Sequence, residues 1–154
     1  MIHTLHVVLA GVWLGGVVFT TAVVSPALKA MKWSDIERVV IRSIIGKHYA
    51  WVGGANLTLL ALFAALDGVT AGLNVAFYVE YALLIVLFGL VAAHGAYFGN
   101  RLVRLAEAEK HTESEGEARA FAEERRNLQT LSLWISWADI LVSVVVAVLA
   151  VNVS

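Results

Sequence analysis

Four long apolar stretches alternate with short charged ones along this chain of 154 residues. The apolar stretches cover about residues 2–28, 48–66, 75–99 and 128–151. Each is long enough for a helix that crosses a bilayer, which needs roughly 20 mostly apolar residues. The strands of a membrane barrel would instead alternate apolar and polar residues. The pattern therefore predicts an all-α, integral membrane four-helix bundle, with residues 1–154 forming a single membrane domain.

The basic residues are concentrated in two of the connections. All 11 Lys and Arg residues lie within residues 29–47 and 101–126. These connections follow the first and third spans, so they share one side of the membrane, and the positive-inside rule assigns that side to the cytoplasm. We therefore expect a multi-pass protein of the bacterial inner (cytoplasmic) membrane with both termini outside.

Both cytoplasmic connections carry helical signals. Residues 34–37, "SDIE", have the form of a capping box that starts a helix. Apolar residues then recur at helical spacing, which predicts a cytoplasmic amphipathic helix between spans one and two. The second connection is rich in Ala and Glu, and we expect helix on either side of Gly116. It would then extend spans three and four as a short hairpin.

Composition excludes several classes of chemistry. The chain has no cysteine, which excludes disulfides, thiolate metal sites and cysteine nucleophiles. A formal net charge of −1 gives no overall basic field for nucleic acid. No nucleophile elbow, phosphate-binding loop or HExxH motif occurs. Any chemistry must therefore take place in the bundle, with imidazole, carboxylate and indole groups.

The first span carries a histidine, a tryptophan and a cluster of glycines. His6 and Trp13 are seven residues apart and share a helical face. Gly15 and Gly16 belong to a small-residue face that allows close approach of another helix, a dimer partner or a flat macrocycle. His6 also fits an interfacial role in which its imidazole is hydrogen-bonded to a carbonyl group.

The third span carries a second polar stripe. Glu80, His94 and Arg101 are separated by multiples of seven, and Tyr97 lies close to the same stripe. An imidazole with an arginine nearer the headgroups suits haem, whose iron would bind the imidazole while a propionate reaches the guanidinium. His48 begins span two on the same side and is a second candidate ligand. His94 and His48 also fit structural roles in which neither binds haem.

The fourth span places an acid near the middle of the bilayer. Asp139 and Ser136 lie on one polar stripe, and Asn56 on span two has a comparable depth. An ionisable residue in hydrocarbon is costly and indicates a functional site by default. Together with Glu80, these side chains would suit a path for cations or protons. They also suit a hydrogen-bonded packing device.

A resemblance supports one of these interpretations. His6, "WLGG" at residues 13–16, Phe19 and "VVSPAL" at residues 23–28 resemble the first helix of a group of small bacterial four-helix membrane proteins. This group comprises proteins like HemJ, a membrane haem b protoporphyrinogen oxidase, the copper-resistance protein CopD and relatives of transmembrane protein 205. The resemblance implies that His6 ligates haem. The chain departs from the HemJ-like members in having "TTAVV" where they have Pro-Arg.

The residues and the resemblance together predict a protein that binds haem b. We expect redox or haem-handling chemistry in the bundle or at a homodimer interface, with a redox partner that is not identified. His6 and His94 are the expected iron ligands. As an enzyme it would be a haem-dependent oxidoreductase. One alternative is cation or proton transport or metal resistance through Asp139, Asn56 and Glu80, and another is a non-catalytic accessory subunit.

Overall fold

The computed structural model describes residues 1–153, apart from the side chain of Ala96, and consists of four long helices. They are α1 (Ile2–Ala30), α2 (Asp35–Ala71), α3 (Val75–His111) and α4 (Glu115–Asn152). The described part of the chain contains no strand. All four helices are long and apolar enough to cross a membrane. This confirms the all-α prediction and the four helices of membrane-spanning length and composition.

The helix ends follow local sequence signals. At the start of α2 the side chain of Ser34 accepts a hydrogen bond from the amide of Glu37, whose carboxylate accepts one from the amide of Ser34. The helix then runs on without a break for 37 residues, about 55 Å at 1.5 Å per residue. The segment predicted as an amphipathic helix therefore forms the first turns of α2.

The hairpin between α3 and α4 differs from the expectation in one detail. The helices are separated by residues 112–114, and Gly116 lies inside the first turn of α4. Ser114 starts that helix by accepting a hydrogen bond from the amide of Glu117. A hydroxyl that caps the free amides determines this helix start, and the glycine further along is accommodated within the first turn.

Two helices contain a π-helical segment. In α1 it covers Phe19–Val24, and in α3 it covers Ala93–Gly99, which includes His94. Such wide turns are rare, and they occur frequently at functional sites.

The core lies midway along the bundle and is apolar. Leu57, Leu60 and Leu87 are fully buried, and Trp13 and Val146 are almost so. Helix α1 packs against both α2 and α4. This apolar layer separates two groups of polar residues, one at each end of the bundle.

A buried arginine holds three helices together at the end that carries the basic connections, which we call the basic end. The guanidinium of Arg125 in α4 is 2% exposed and donates to the carboxylate of Glu109 in α3 at 2.8 Å. Its Nη2, which also donates to Glu109 at 3.4 Å, lies 3.9 Å from the carboxylate of Asp35 at the start of α2. Because a buried cation must be paired, this contact positions the first turns of α2 against the hairpin.

We predict that Glu109→Gln strongly destabilises the fold. It removes the close partner of a buried guanidinium, and breaking such a pair costs about 3–5 kcal/mol. The matched control is Asp35→Asn, which alters a half-exposed and more distant partner and should cost about 1 kcal/mol or less. The measurement is the denaturation midpoint of each purified variant in the same detergent. Equal losses would contradict the assignment of Glu109 as the main partner.

Candidate functional site

His6 lies at the centre of a buried polar cluster at the end of the bundle opposite the basic end. Its side chain is completely buried, and both ring nitrogens contact carboxylates. Nε2 lies 2.7 Å from Oε1 of Glu80 in α3, and Nδ1 lies 3.1 Å from Oδ2 of Asp67 in α2. One imidazole on α1 thus connects three helices.

A second histidine contacts the same carboxylate oxygen. His3 Nδ1 lies 2.8 Å from Oδ2 of Asp67. The side chain of Asp67 is 5% exposed and that of His3 is 34% exposed, so the cluster is open to its surroundings only on the side of His3. We call His3, His6, Asp67 and Glu80 the histidine–carboxylate cluster.

A large cavity occupies the other half of the bundle and reaches the basic end. Its volume is about 1130 Å³. Trp13, Val17 and Leu28 contribute apolar wall from α1, and His94 and Phe98 contribute from α3. The basic residues that line it are Lys29, Arg38, Arg42, Lys47 and Arg126. Asp35, Ser136 and Asp139 line it as well, so its wall combines apolar surface with an excess of basic side chains.

His94 and Arg42 are two lining side chains whose functional groups have no hydrogen-bonding or ion-pair partner in the described part of the chain. The imidazole of His94 lies beside the ring of Phe98, with centroids 6.4 Å apart, and this ring contact is the interaction that the side chain makes. Arg42 is half-buried, and no carboxylate among the described residues pairs with its guanidinium. In contrast, Arg38 pairs with Asp35 and reaches the carbonyl of Lys29. His94 and Arg42 are thus available to a ligand in the cavity.

The polar residues predicted on span four also line this cavity, whereas Asn56 does not meet them. Asp139 has a buried Oδ1 with no partner among the described residues. Ser136 donates a hydrogen bond to the carbonyl of Ser132 in its own helix. Asn56 donates to the carbonyl of Leu9 in α1, and Glu80 lies in the histidine–carboxylate cluster. The structure therefore does not bring Asp139, Asn56 and Glu80 together.

The remaining predicted site residues lie outside the cavity. His48 is exposed, and its Nδ1 bonds to the carbonyl of Ile44. Tyr97 is 59% exposed and packs its ring edge-on against Phe98. Arg101 pairs with Glu124 at 2.7 Å, so its guanidinium serves the hairpin between α3 and α4. These three side chains are therefore not brought together with His94 in the cavity wall.

Trp13 and the glycines of α1 contribute to packing. Nε1 of Trp13 donates to Oγ of Ser143 in α4 at 2.9 Å, deep in the core. A Cβ atom at Gly16 would lie 2.5 Å from Oη of Tyr49, whereas one at Gly15 would meet nothing within 4 Å. Gly16 is therefore needed for the approach of Tyr49 in α2, and Gly15 faces out of the bundle.

Sequence reasoning missed Asp67 and Arg42. Asp67 falls near the end of an apolar stretch and reads as part of a turn, but the helix continues to Ala71 and makes it a buried neighbour of His6. The position of Asp67 along its span could have indicated this contact, because Asp67 and His6 lie toward the same side of the membrane in the predicted topology. Arg42 lies among other basic residues and nothing local distinguishes it.

The fold and the buried polar groups define a class: four helices whose length and composition are those of a multi-pass membrane protein, with ionisable residues inside the bundle. Residues 8–111 match the family described as a domain of unknown function, DUF4149, and the chain belongs to this family. No curated protein and no solved structure matches the chain. The match covers most of α1 and all of α2 and α3, so it includes Asp67, Glu80 and His94.

We predict that Gly16→Ala destabilises the bundle and that Gly15→Ala does not. The added methyl group at position 16 would collide with Tyr49, and overpacking of this kind costs about 1–3 kcal/mol. The thermal midpoints of the two variants in detergent make the comparison. An unchanged midpoint for Gly16→Ala would show that Tyr49 can leave this position without cost.

Proposed function

We propose that this protein binds haem b in the cavity at the basic end, with His94 as an iron ligand and Arg42 as the partner of a propionate. The observation that carries the proposal is one cavity that contains both an imidazole held only by a ring contact and a half-buried guanidinium without a carboxylate among the described residues. Imidazole is a common axial ligand of haem iron, and guanidinium is a strong partner of carboxylates.

The size and chemistry of the cavity support a large amphipathic ligand. Pockets for drug-sized molecules measure about 300–1,000 Å³, and this cavity of about 1130 Å³ is slightly larger. Its wall contains apolar side chains, including Trp13, Val17 and Phe98, and five basic side chains. A planar apolar macrocycle with two carboxylates at one edge would find both apolar contacts and cationic partners there.

The geometry favours His94 over His6 as the ligand. An iron ligand must face the bound haem, and His94 lies in the wall of the cavity. His6 is completely buried at the other end of the bundle and does not line the cavity. His48 lies outside the cavity, with Nδ1 bonded to its own helix. We therefore place the haem at His94, with Trp13 in the wall.

Haem bound there would supply reversible one-electron chemistry at its iron. The residues of the chain would bind and orient it: His94 fixes the iron, Arg42 fixes one edge, and the apolar walls restrict access of water. Asp139, with its unpaired buried oxygen, lies where it could accept or hold a proton at the inner edge of the cavity. This arrangement supports a haem-dependent oxidoreductase or a haem-handling protein.

We predict that the protein purified in detergent after expression with haem shows a Soret band, and that His94→Ala abolishes or shifts it. Loss of the imidazole removes the iron ligand. The measurement is an ultraviolet–visible spectrum of the oxidised and the dithionite-reduced protein.

Two histidine variants provide the controls. His6→Ala and His48→Ala should retain the Soret band, because neither imidazole lines the cavity. If His6→Ala loses the band and His94→Ala keeps it, the ligand assignment is wrong. A wild-type protein that takes up no haem rules out the function itself.

We also propose that the basic end faces the cytoplasm of a bacterial cell and that the protein forms a homodimer. The distribution of Lys and Arg supports the orientation, with both termini outside and the first turns of α2 forming an amphipathic segment at the cytoplasmic surface.

A dimer is supported by Gly11 and Gly15, which leave a flat surface with nothing within 4 Å of either position.

The orientation can be tested by thiol labelling, because the chain has no cysteine. We predict that Leu73→Cys, in the turn between α2 and α3, reacts in intact cells with a reagent that cannot cross the membrane. Glu113→Cys, in the turn between α3 and α4, should react only after the cells are opened. The reverse pattern would show that the basic end lies outside.

A further inference from the structure

We infer that His3, His6 and Asp67 form a binding site for a divalent transition-metal ion, with Zn²⁺ as the best-suited ion, and that Glu80 is a positioning residue for His6. This site lies at the end of the bundle opposite the cavity. It does not depend on the proposed haem function.

Three potential ligand atoms converge there. One potential ligand atom from each of His3, His6 and Asp67 lies within 4.8 Å of the other two. Nδ1 of His3 and Nδ1 of His6 are 2.8 and 3.1 Å from Oδ2 of Asp67. Metal–ligand bonds of about 2.0–2.2 Å in a tetrahedron place ligand atoms roughly 3.4 Å apart, so only small movements separate this arrangement from a coordination shell.

The two contacts of His6 require either a second proton on its ring or a cation at Nδ1. A neutral imidazole carries one N–H group and one lone pair. His6 nevertheless contacts a carboxylate at each nitrogen, through Glu80 and Asp67. If Nε2 donates its hydrogen to Glu80, the lone pair of Nδ1 faces the lone pairs of Asp67. A cation between them turns this repulsion into two favourable bonds.

The charge of the cluster leads to the same requirement. With neutral histidines, Asp67 and Glu80 give it a charge of −2 in an almost fully buried place. Oε2 of Glu80 is buried without a partner among the described residues. All Lys and Arg residues lie within residues 29–47 and 101–126, at the other end of the bundle. Buried charges must be compensated, and a divalent ion would make the cluster neutral.

Glu80 has the place of a supporting carboxylate. Histidines that bind metals commonly donate their other N–H group to a carboxylate, which fixes the ring and its tautomer. The contact of 2.7 Å between Nε2 of His6 and Oε1 of Glu80 matches this role and leaves Nδ1 for the ion.

The donor set and the partial exposure of the site indicate the kind of ion. Two imidazoles and one carboxylate, in a chain with no cysteine, are typical ligands of zinc sites. His3 is the most exposed member, and its side gives an ion an entry route. Three protein ligands leave a fourth position for water or a further group.

The test is calorimetric titration of Zn²⁺ into the full-length protein in detergent, after treatment with a chelator and removal of any affinity tag. We expect one ion per chain. His3→Ala and Asp67→Asn should abolish measurable binding, and Glu80→Gln should weaken it about 10- to 100-fold, as loss of a supporting carboxylate does. The matched control is His111→Ala, which removes an exposed histidine at the basic end and should leave binding unchanged.

A second measurement, of thermal stability, distinguishes loss of the metal site from misfolding of a variant. Zn²⁺ should raise the thermal midpoint of the wild type and of His111→Ala, and should leave that of His3→Ala unchanged. A wild-type protein that binds no Zn²⁺ overturns the proposal and indicates that protons alone compensate the cluster. Binding that survives both His3→Ala and Asp67→Asn overturns it as well. Because the haem spectrum reports on the cavity, these results are distinguishable from failure of the proposed function.

Discussion

The imidazole of His6 is the interaction on which one half of the molecule depends. Helices in a bilayer gain little from burying apolar surface against one another, because the lipid is equally apolar. Polar contacts inside the bundle therefore decide which faces meet. His6 contacts Asp67 on α2 and Glu80 on α3, so a single side chain on α1 joins three helices. The same contacts bury two carboxylates, whose charge a bound cation or protons must balance.

At the basic end, a buried ion pair also joins helices, and its buried member is a cation. Arg125 joins α4 to Glu109 on α3 and approaches Asp35 at the start of α2. The two ends differ in their buried charges: one holds Asp67 and Glu80 with two histidines, and the other holds Arg125. The cavity is lined by five basic residues, against Asp35 and Asp139, so its ligand is expected to be anionic, whereas the histidine–carboxylate cluster suits a cation.

The sequence predicts the helices better than it predicts the contacts between them. Apolar length alone locates all four helices, because the thickness of a bilayer sets how many residues a span needs. His6 and Glu80 are recognisable as polar residues in spans, but their direct contact depends on how α1 and α3 rotate, which periodicity does not define. Asp67 reads as a turn residue because a helix end cannot be located within a few residues. Asn56 has the depth to meet Asp139, yet its amide bonds to the backbone of α1.

The apolar layer between the two ends affects whether an ion could pass from one end of the bundle to the other. Leu57, Leu60 and Leu87 are completely buried between the histidine–carboxylate cluster and the cavity. Near that layer, the indole N–H of Trp13 donates a hydrogen bond to Oγ of Ser143, so its partner lies inside the bundle. An ion that crossed from Asp67 to Asp139 would have to separate these side chains, whereas a bound ion and a bound haem require no such movement. The two proposals, an ion at one end and haem at the other, are compatible with this apolar layer as it stands, whereas transport of an ion between the ends would require it to open.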